Sequence, residues 1–328
     1  MQAAPFDHGA MRSIAHVAVT APARLHLGFL DLAGDLGRRY GSLGLALEEV
    51  GTTVSVARAD ALCVTGAEAP RARRHAQAMA RRFGLSDRVA VTIDRAIPAH
   101  AGLGSGTALA LAVGAGMARL EGVAIAPPDI ARALGRGERS GIGIAAFDRG
   151  GVVLDGGQAP GGGTPPPILA RHDFPEAWRV ILVQDPAFQG KHGAAEIAAF
   201  ASLPPFPAAR AAELCRLALM QALPALAERD VGGFGAAVSA IQAAVGDHFA
   251  PAQGGRFASP AVAEALSWLE AQGAAGIGQS SWGPTGFALV GELGMAEALS
   301  AAAGERFGAR LSFTVARGRN RGAAILEG

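Results

Sequence analysis

Ile97-Pro98-Ala99-His100-Ala101-Gly102-Leu103-Gly104-Ser105-Gly106-Thr107 is the stretch whose reading decides the fold. An alternating run over residues 89–93 reads as a strand before it, and an Ala/Leu/Val/Gly-rich run over 108–119 reads as a buried helix after it. The glycines at 102, 104 and 106 leave backbone N–H groups uncovered, and the helix start adds partial positive charge. A strand–loop–helix turn of this kind is a ready phosphate site. Ser105 and Thr107 bring hydroxyls to phosphate or to a phosphate-bound metal. The same glycines also suit a tight turn that merely packs closely, so the rest of the chain has to choose.

With 328 residues, half of them apolar, the chain can build one large domain or two ordinary ones without disulfides or structural metal. A net charge of +1 argues against a broad electrostatic grip on nucleic acid. Cys63 and Cys215 lie far apart and in no metal-like spacing, and read as buried thiols in a reducing compartment. His16, His75, His100, His172 and His248 show no paired ligand spacing, so no zinc site is expected. The first twelve residues lack the basic-then-apolar order of a signal peptide, and no apolar run reaches the roughly 20 residues of a membrane span. A cytoplasmic protein is expected, with neither membrane nor nucleic acid as partner.

Outward from the loop, residues 14–20 and 24–30 alternate as two strands separated by Pro22. In the second, Leu25, Leu27 and Phe29 share one side, and Arg24, His26 and Gly28 the other. A polar turn with Asp31, Asp35, Arg38 and Arg39 leads to strands over 43–48 and 52–57, a β-meander. Residues 70–83 form an amphipathic helix whose Arg71, Arg74, Arg81 and Arg82 read as a solvated face, closed by Gly84. Residues 156–167, rich in Gly and Pro, are the best linker, which divides the chain into domains at 1–168 and 169–328. The second half has a strand at 180–183, a turn with Lys191 and His192, and a helix over 208–223 that Pro224 kinks or ends. A helix follows Ser259-Pro260, and then comes a second glycine-rich loop, Gly278-Gln279-Ser280-Ser281-Trp282-Gly283-Pro284-Thr285-Gly286. Its β-α-α-β-α-β order is of ferredoxin-like type, so the fold class is α+β.

Pro98 through Gly106 matches the Pro-x-x-x-Gly-Leu-Gly-Ser-Ser/Gly motif of the GHMP kinase superfamily, and the loop at 278–286 resembles its C-terminal glycine motif. The resemblance implies the two-domain GHMP kinase-like fold, with a phosphate-binding glycine loop in the first domain, a ferredoxin-like second domain and the ligand between them. It also implies a magnesium site on Ser105 and Glu138. One departure bears on the chemistry. Mevalonate kinase-like members read Ser-Gly-Val-Asp-Asn where this chain reads Ser140-Gly141-Ile142-Gly143-Ile144, so Gly143 stands where their catalytic base stands. A glycine cannot accept a proton.

Longer runs narrow the likeness. Arg24-Leu25-His26-Leu27-Gly28-Phe29-Leu30-Asp31, the segment 34–48 and Gly137-Glu138-Arg139-Ser140-Gly141-Ile142-Gly143 are similar to the β-ribofuranosylaminobenzene 5′-phosphate synthase family. That family implies a homodimeric transferase joining phosphoribosyl pyrophosphate to 4-aminobenzoate or 4-hydroxybenzoate, with loss of pyrophosphate and carbon dioxide, in tetrahydromethanopterin biosynthesis and one-carbon metabolism. Loss of pyrophosphate calls for preorganised positive charge, which the N–H groups of Gly102, Leu103, Gly104, Ser105, Gly106 and Thr107 would supply together with Mg2+. No sugar hydroxyl needs deprotonation, which suits Gly143. Arg24 and His26 would anchor a carboxylate or phosphate, although His26 also suits a hydrogen-bonded core position. Asp31 would bind ribose hydroxyls or cap its turn. Lys191 and His192 would meet a phosphate or carboxylate or lie in a solvated loop, and Ser280, Ser281 and Thr285 would add hydroxyl donors. Trp282 stacks on the benzoate ring or fills core. The alternatives are an ATP-dependent kinase of the same fold using another base, such as Asp148, and a non-catalytic phosphate-binding protein.

Overall fold

The structure, a computed structural model, describes residues 14–188, 203–281 and 283–328. Lys191, His192 and Trp282 lie outside the described residues. Two long strands, β1 (His16–Asp31) and β2 (Tyr40–Arg58), form an antiparallel hairpin. They replace the four shorter strands expected from sequence. Pro22 lacks an N–H for the ladder, but it sits opposite Gly51 at a register shift, so the strand bends there and continues. Next come β3 (Cys63–Gly66), α1 (Ala69–Phe83), β4 (Val89–Arg95), α2 (Ser105–Leu120), α3 (Pro127–Ala133), α4 (Ile142–Asp148), β5 (Val152–Asp155) and β6 (Ile168–His172). The first sheet runs β3–β4–β2–β1, with β5 on the other half of β2 and β6 beside β5. Residues 156–167 therefore connect neighbours in one sheet and are not a linker between domains.

The second half contains β7 (Arg179–Gln184), α5 (Ala208–Leu217), α6 (Leu223–Glu228), α7 (Val231–Gln253), α8 (Pro260–Ala271), β8 (Gly276–Gln279), β9 (Gly286–Val290), α9 (Leu293–Phe307), β10 (Ser312–Ala316) and β11 (Ala324–Glu327). The sheet order β10–β7–β9–β8, all antiparallel, is that of a ferredoxin-like domain. Alternate residues of β7 and β9 face opposite sides. Ile181, Val183, Ala288 and Val290 pack under α8 and α9, while Val180, Leu182, Phe287 and Leu289 join the larger core shared with β1 and α7. The final strand, β11, leaves this domain and pairs with β1 at the edge of the first sheet.

Pro224 does not end its helix. A π-helical turn at Ala218–Ala222 absorbs the missing N–H, and the helix continues as α6. Cys63, on the short edge strand β3, and Cys215, on α5, are exposed, not buried. Among the described residues no helix is long and apolar enough to cross a membrane.

Helix α2 explains the composition that marked it. Ala108 through Ala118 and Leu120 are all buried, so the helix is enclosed on every side. Its glycines let neighbours approach: a Cβ at Gly114 would lie 2.4 Å from Ile130 Cγ2, and one at Gly116 2.7 Å from Val56 Cγ2. This tight seating on β1 and β2 fixes the direction in which the first turn of α2 points.

Candidate active site

The two glycine-rich loops lock together. Gly102, at φ +79°, has no room for a side chain: a Cβ there would lie 2.1 Å from the Ser280 carbonyl, and one at Gly283 would lie 2.3 Å from the Gly102 nitrogen. Ser280, fully buried, ties the joint. Its Oγ donates to the Gly102 carbonyl at 2.7 Å and accepts the His26 N–H at 2.9 Å. Arg24 Nη1 also donates to the Gly102 carbonyl, at 2.5 Å, while the Arg24 N–H donates to the Leu103 carbonyl at 3.0 Å. Gly102 and Leu103 are thus joinery, with Leu103 in the core. Gly104, at φ +82°, turns the chain into α2 beneath the Arg24 side chain. The first-turn N–H groups, at Ser105 and Gly106, are left over by helix geometry.

Beside that turn lies a cleft of about 310 Å³ lined by Arg24, His26, Phe29 and Thr107, by the loop 135–140, and by Ser281. Three arginines, Arg24, Arg136 and Arg139, face one carboxylate, Glu138, among the described residues of its lining. Arg71 comes in from α1. Its Nη1 lies 3.9 Å, and Arg136 Nη1 3.3 Å, from the point where a Cβ on Gly106 would stand. Arg71 therefore belongs to the margin of this site, and the solvated face expected for α1 holds only for its neighbours further along. The chemistry of the lining is that of a receptor for a highly charged anion.

His26 is 3% exposed, and its Nε2 has no hydrogen-bond partner within the protein. Burial first, then Arg24 and Arg139, lowers its pKa from 6.5 to about 3. The imidazole is neutral at physiological pH and cannot anchor an anion by charge; it can give or accept one hydrogen bond. Phe29 packs edge-on against it at 4.4 Å. Simple alternation puts Phe29 on the opposite side of β1, but a register shift between His26 and Gly28 brings both rings to the cleft.

Arg24, His26, Thr107, Glu138 and Ser281 are brought together, and Ser281 holds a left-handed conformation at φ 59°. Ser105 begins α2 beside the cleft without lining it. Asp31 is not in the lining: its Oδ1 caps the turn by accepting the Gly34 N–H at 2.8 Å. Thr285 is fully buried, and its Oγ1 lies 3.5 Å from Gln184 Nε2. The sequence reading placed Arg71 on a solvated face and gave Arg136, Arg139 and Phe29 no role in the site. The signal for two of them was present, since Arg136 and Arg139 lie within two residues of Glu138.

A Cβ at Gly143 would lie 3.1 Å from Thr107 Cγ2, so this position borders the cleft and holds no carboxylate. Asp148, at the far end of α4, is exposed and pairs with Arg149 at 3.1 Å. It is not placed to replace a base at 143. For magnesium, the cleft lining offers the Glu138 carboxylate and the hydroxyls of Thr107, Ser140 and Ser281, with Ser105 at the adjacent helix start, oxygen donors of the kind that magnesium takes together with substrate phosphates and water.

Residues 71–151 match the model of the GHMP kinases N terminal domain, and residues 222–309 that of GHMP kinases C terminal. A β-ribofuranosylphenol 5′-phosphate synthase from Methanothermobacter thermautotrophicus is 30% identical over 335 residues, covering 96% of this chain and 100% of that protein. The chain belongs to the β-ribofuranosylphenol 5′-phosphate synthase family. A second synthase of this family, from Archaeoglobus fulgidus, is 38% identical over 234 residues, or 67% of this chain and 74% of that protein. Among solved structures, mevalonate diphosphate decarboxylase from Staphylococcus aureus superposes with TM-score 0.67 at 15% identity, covering 97% of this chain and 100% of that one. Homoserine kinase from Cytophaga hutchinsonii gives 0.62 at 18%, covering 98% and 100%. These two likenesses establish the fold alone. The synthase family thus shares the GHMP kinase scaffold.

Proposed function

We propose that this protein joins phosphoribosyl pyrophosphate to the ring carbon of a para-substituted benzoate, releasing pyrophosphate and carbon dioxide, in methanopterin biosynthesis. The observation that carries the reading is a cationic, phosphate-seeking cleft bordered at position 143 by glycine in place of a base. Such a site can hold and stabilise a departing diphosphate, yet has nothing at 143 to deprotonate an alcohol for phosphotransfer.

In the reaction, the bond from ribose C1 to the diphosphate oxygen breaks, and its electron pair leaves with pyrophosphate. A π pair of the benzoate ring forms the new carbon–carbon bond at the carbon bearing the carboxylate. The carboxylate then departs as carbon dioxide, and its bonding pair restores the aromatic ring. Guanidinium groups and first-turn N–H groups stabilise the leaving anion in a fixed arrangement. Phe29 and the neutral His26 offer the ring an aromatic edge and one hydrogen bond. Mg2+, when bound, would neutralise phosphate charge, and Ser105 and Glu138 are the residues that would hold it. We expect a homodimer acting in the cytoplasm.

The relatives' name specifies a phenol, so 4-hydroxybenzoate is the first acceptor to test, with 4-aminobenzoate beside it. Incubation with phosphoribosyl pyrophosphate, magnesium and either benzoate should release carbon dioxide and pyrophosphate in equal amounts. Release with neither benzoate would refute the reading and favour a binding protein.

A further inference from the structure

We propose that Arg136 grips the diphosphate leaving group and supplies charge that stabilises it on departure, an assignment that rests on the synthase reading above. Four observations converge on this residue. Its guanidinium sits at the first turn of α2, where the Ser105 and Gly106 N–H groups are left by helix geometry. Its Nε is buried and has no acceptor within the protein. Arg71, of like charge, approaches the same point on Gly106. Gly135 and Gly137, at φ 62° and 80°, bracket it, and the Arg136 N–H donates to the Ala131 carbonyl at 2.8 Å, which fixes its backbone.

An unpartnered guanidinium N–H and a like-charged neighbour both cost stability when half-buried. A polyanion seated between the two arginines and the helix start offsets both costs at once. The other arginines are less available for this. Arg24 spends Nη1 on the Gly102 carbonyl, and Arg71 pairs with Glu68 at 3.2 Å. His75, 6% exposed beneath the pair, adds no charge, because burial and then Arg136, Arg71 and Arg74 lower its pKa to about 4. Glu138 stands close enough to Arg136 to favour its charged form. It would also keep the empty site from being purely cationic.

The test is calorimetric binding of inorganic pyrophosphate to the full chain, with and without magnesium, for wild type, Arg136→Gln, Arg136→Lys and the surface control Arg82→Gln. Loss of one charge-assisted contact should weaken binding in Arg136→Gln by about 10- to 100-fold. Arg136→Lys should recover part of that loss, and Arg82→Gln should bind as wild type. Because Arg136 Nε has no partner within the protein, Arg136→Gln should melt no lower than wild type, which separates a lost ligand contact from a damaged fold. Unchanged pyrophosphate affinity in Arg136→Gln would overturn the assignment, as would an equal loss in Arg82→Gln. The two readings fail separately. A wild-type protein that binds pyrophosphate through Arg136 but releases no carbon dioxide from either benzoate would refute the synthase reaction and leave the diphosphate seat in place.

Discussion

Ser280→Ala removes the hydroxyl that joins the two glycine loops, and its effect can be worked from three hydrogen bonds. The Gly102 carbonyl keeps Arg24 Nη1, so it stays satisfied. The His26 N–H loses its acceptor inside a fully buried joint, and an orphaned buried N–H costs about 1–3 kcal/mol. With the bond to Gly102 also gone, at about 0.5–1.5 kcal/mol, the total comes to about 1.5–4.5 kcal/mol. Unfolding entropy of about 2.1 cal/mol/K per residue gives a chain of this length a melting shift of about 2–7 °C for that loss. Thermal melting measures it, and steady-state kinetics on the same sample show whether the hydroxyl also binds substrate. The expected result is a lower Tm with KM for phosphoribosyl pyrophosphate raised only a few-fold. An unchanged Tm with a large rise in KM would refute the clasp and make Ser280 a ligand.

Ser281→Gly should act in the opposite way: relief of a left-handed serine leaves Tm equal or higher, while KM rises if the hydroxyl facing the cleft holds substrate, and melting with kinetics checks both. Glu138→Gln should lower turnover and raise the magnesium concentration needed for half-maximal rate; an unchanged magnesium titration would remove Glu138 from the metal site. Acid should weaken the fold through its buried histidines. Between pH 6.5 and about 4 the unfolded chain protonates His26 and His75 and the folded chain does not, so stability falls as pH falls, by about 2 kcal/mol per histidine at pH 5. Asp155 works the other way, because burial raises its carboxyl pKa and acid then favours the folded form. Urea titrations at pH 7 and pH 5 isolate one term: the difference should shrink by about 2 kcal/mol in His75→Gln.

Much of the scaffold was legible because it is written locally. The glycine loop, the buried helix after it and the amphipathic α1 each carry their own periodicity or turn chemistry. Helix α7 was not legible. Gly232, Gly233, Gly235 and Gly246, with Pro251, argue against a helix by propensity, yet β8 packs so closely that a Cβ at Gly235 would lie 2.1 Å from the Ala275 carbonyl. Tertiary packing overrode propensity there. The site was legible in type more than in membership. Gly102 looked like a phosphate ligand until its partner loop, some 180 residues later, turned out to fill the space beside it. Arg71 looked solvated because periodicity reports a helix face and not what lies opposite. Phe29 reached the cleft through a bulge, and a period-two reading cannot foresee a bulge.

The most direct measurement follows the carboxylate carbon. Incubation of the protein with magnesium, phosphoribosyl pyrophosphate and carboxyl-labelled 4-hydroxybenzoate or 4-aminobenzoate should release the label as carbon dioxide, one equivalent per pyrophosphate, and leave an unlabelled, carbon-linked ribosyl product. Label retained with both benzoates, together with transfer of the terminal phosphate of ATP to an alcohol, would contradict the synthase reading and return the glycine loop to kinase chemistry.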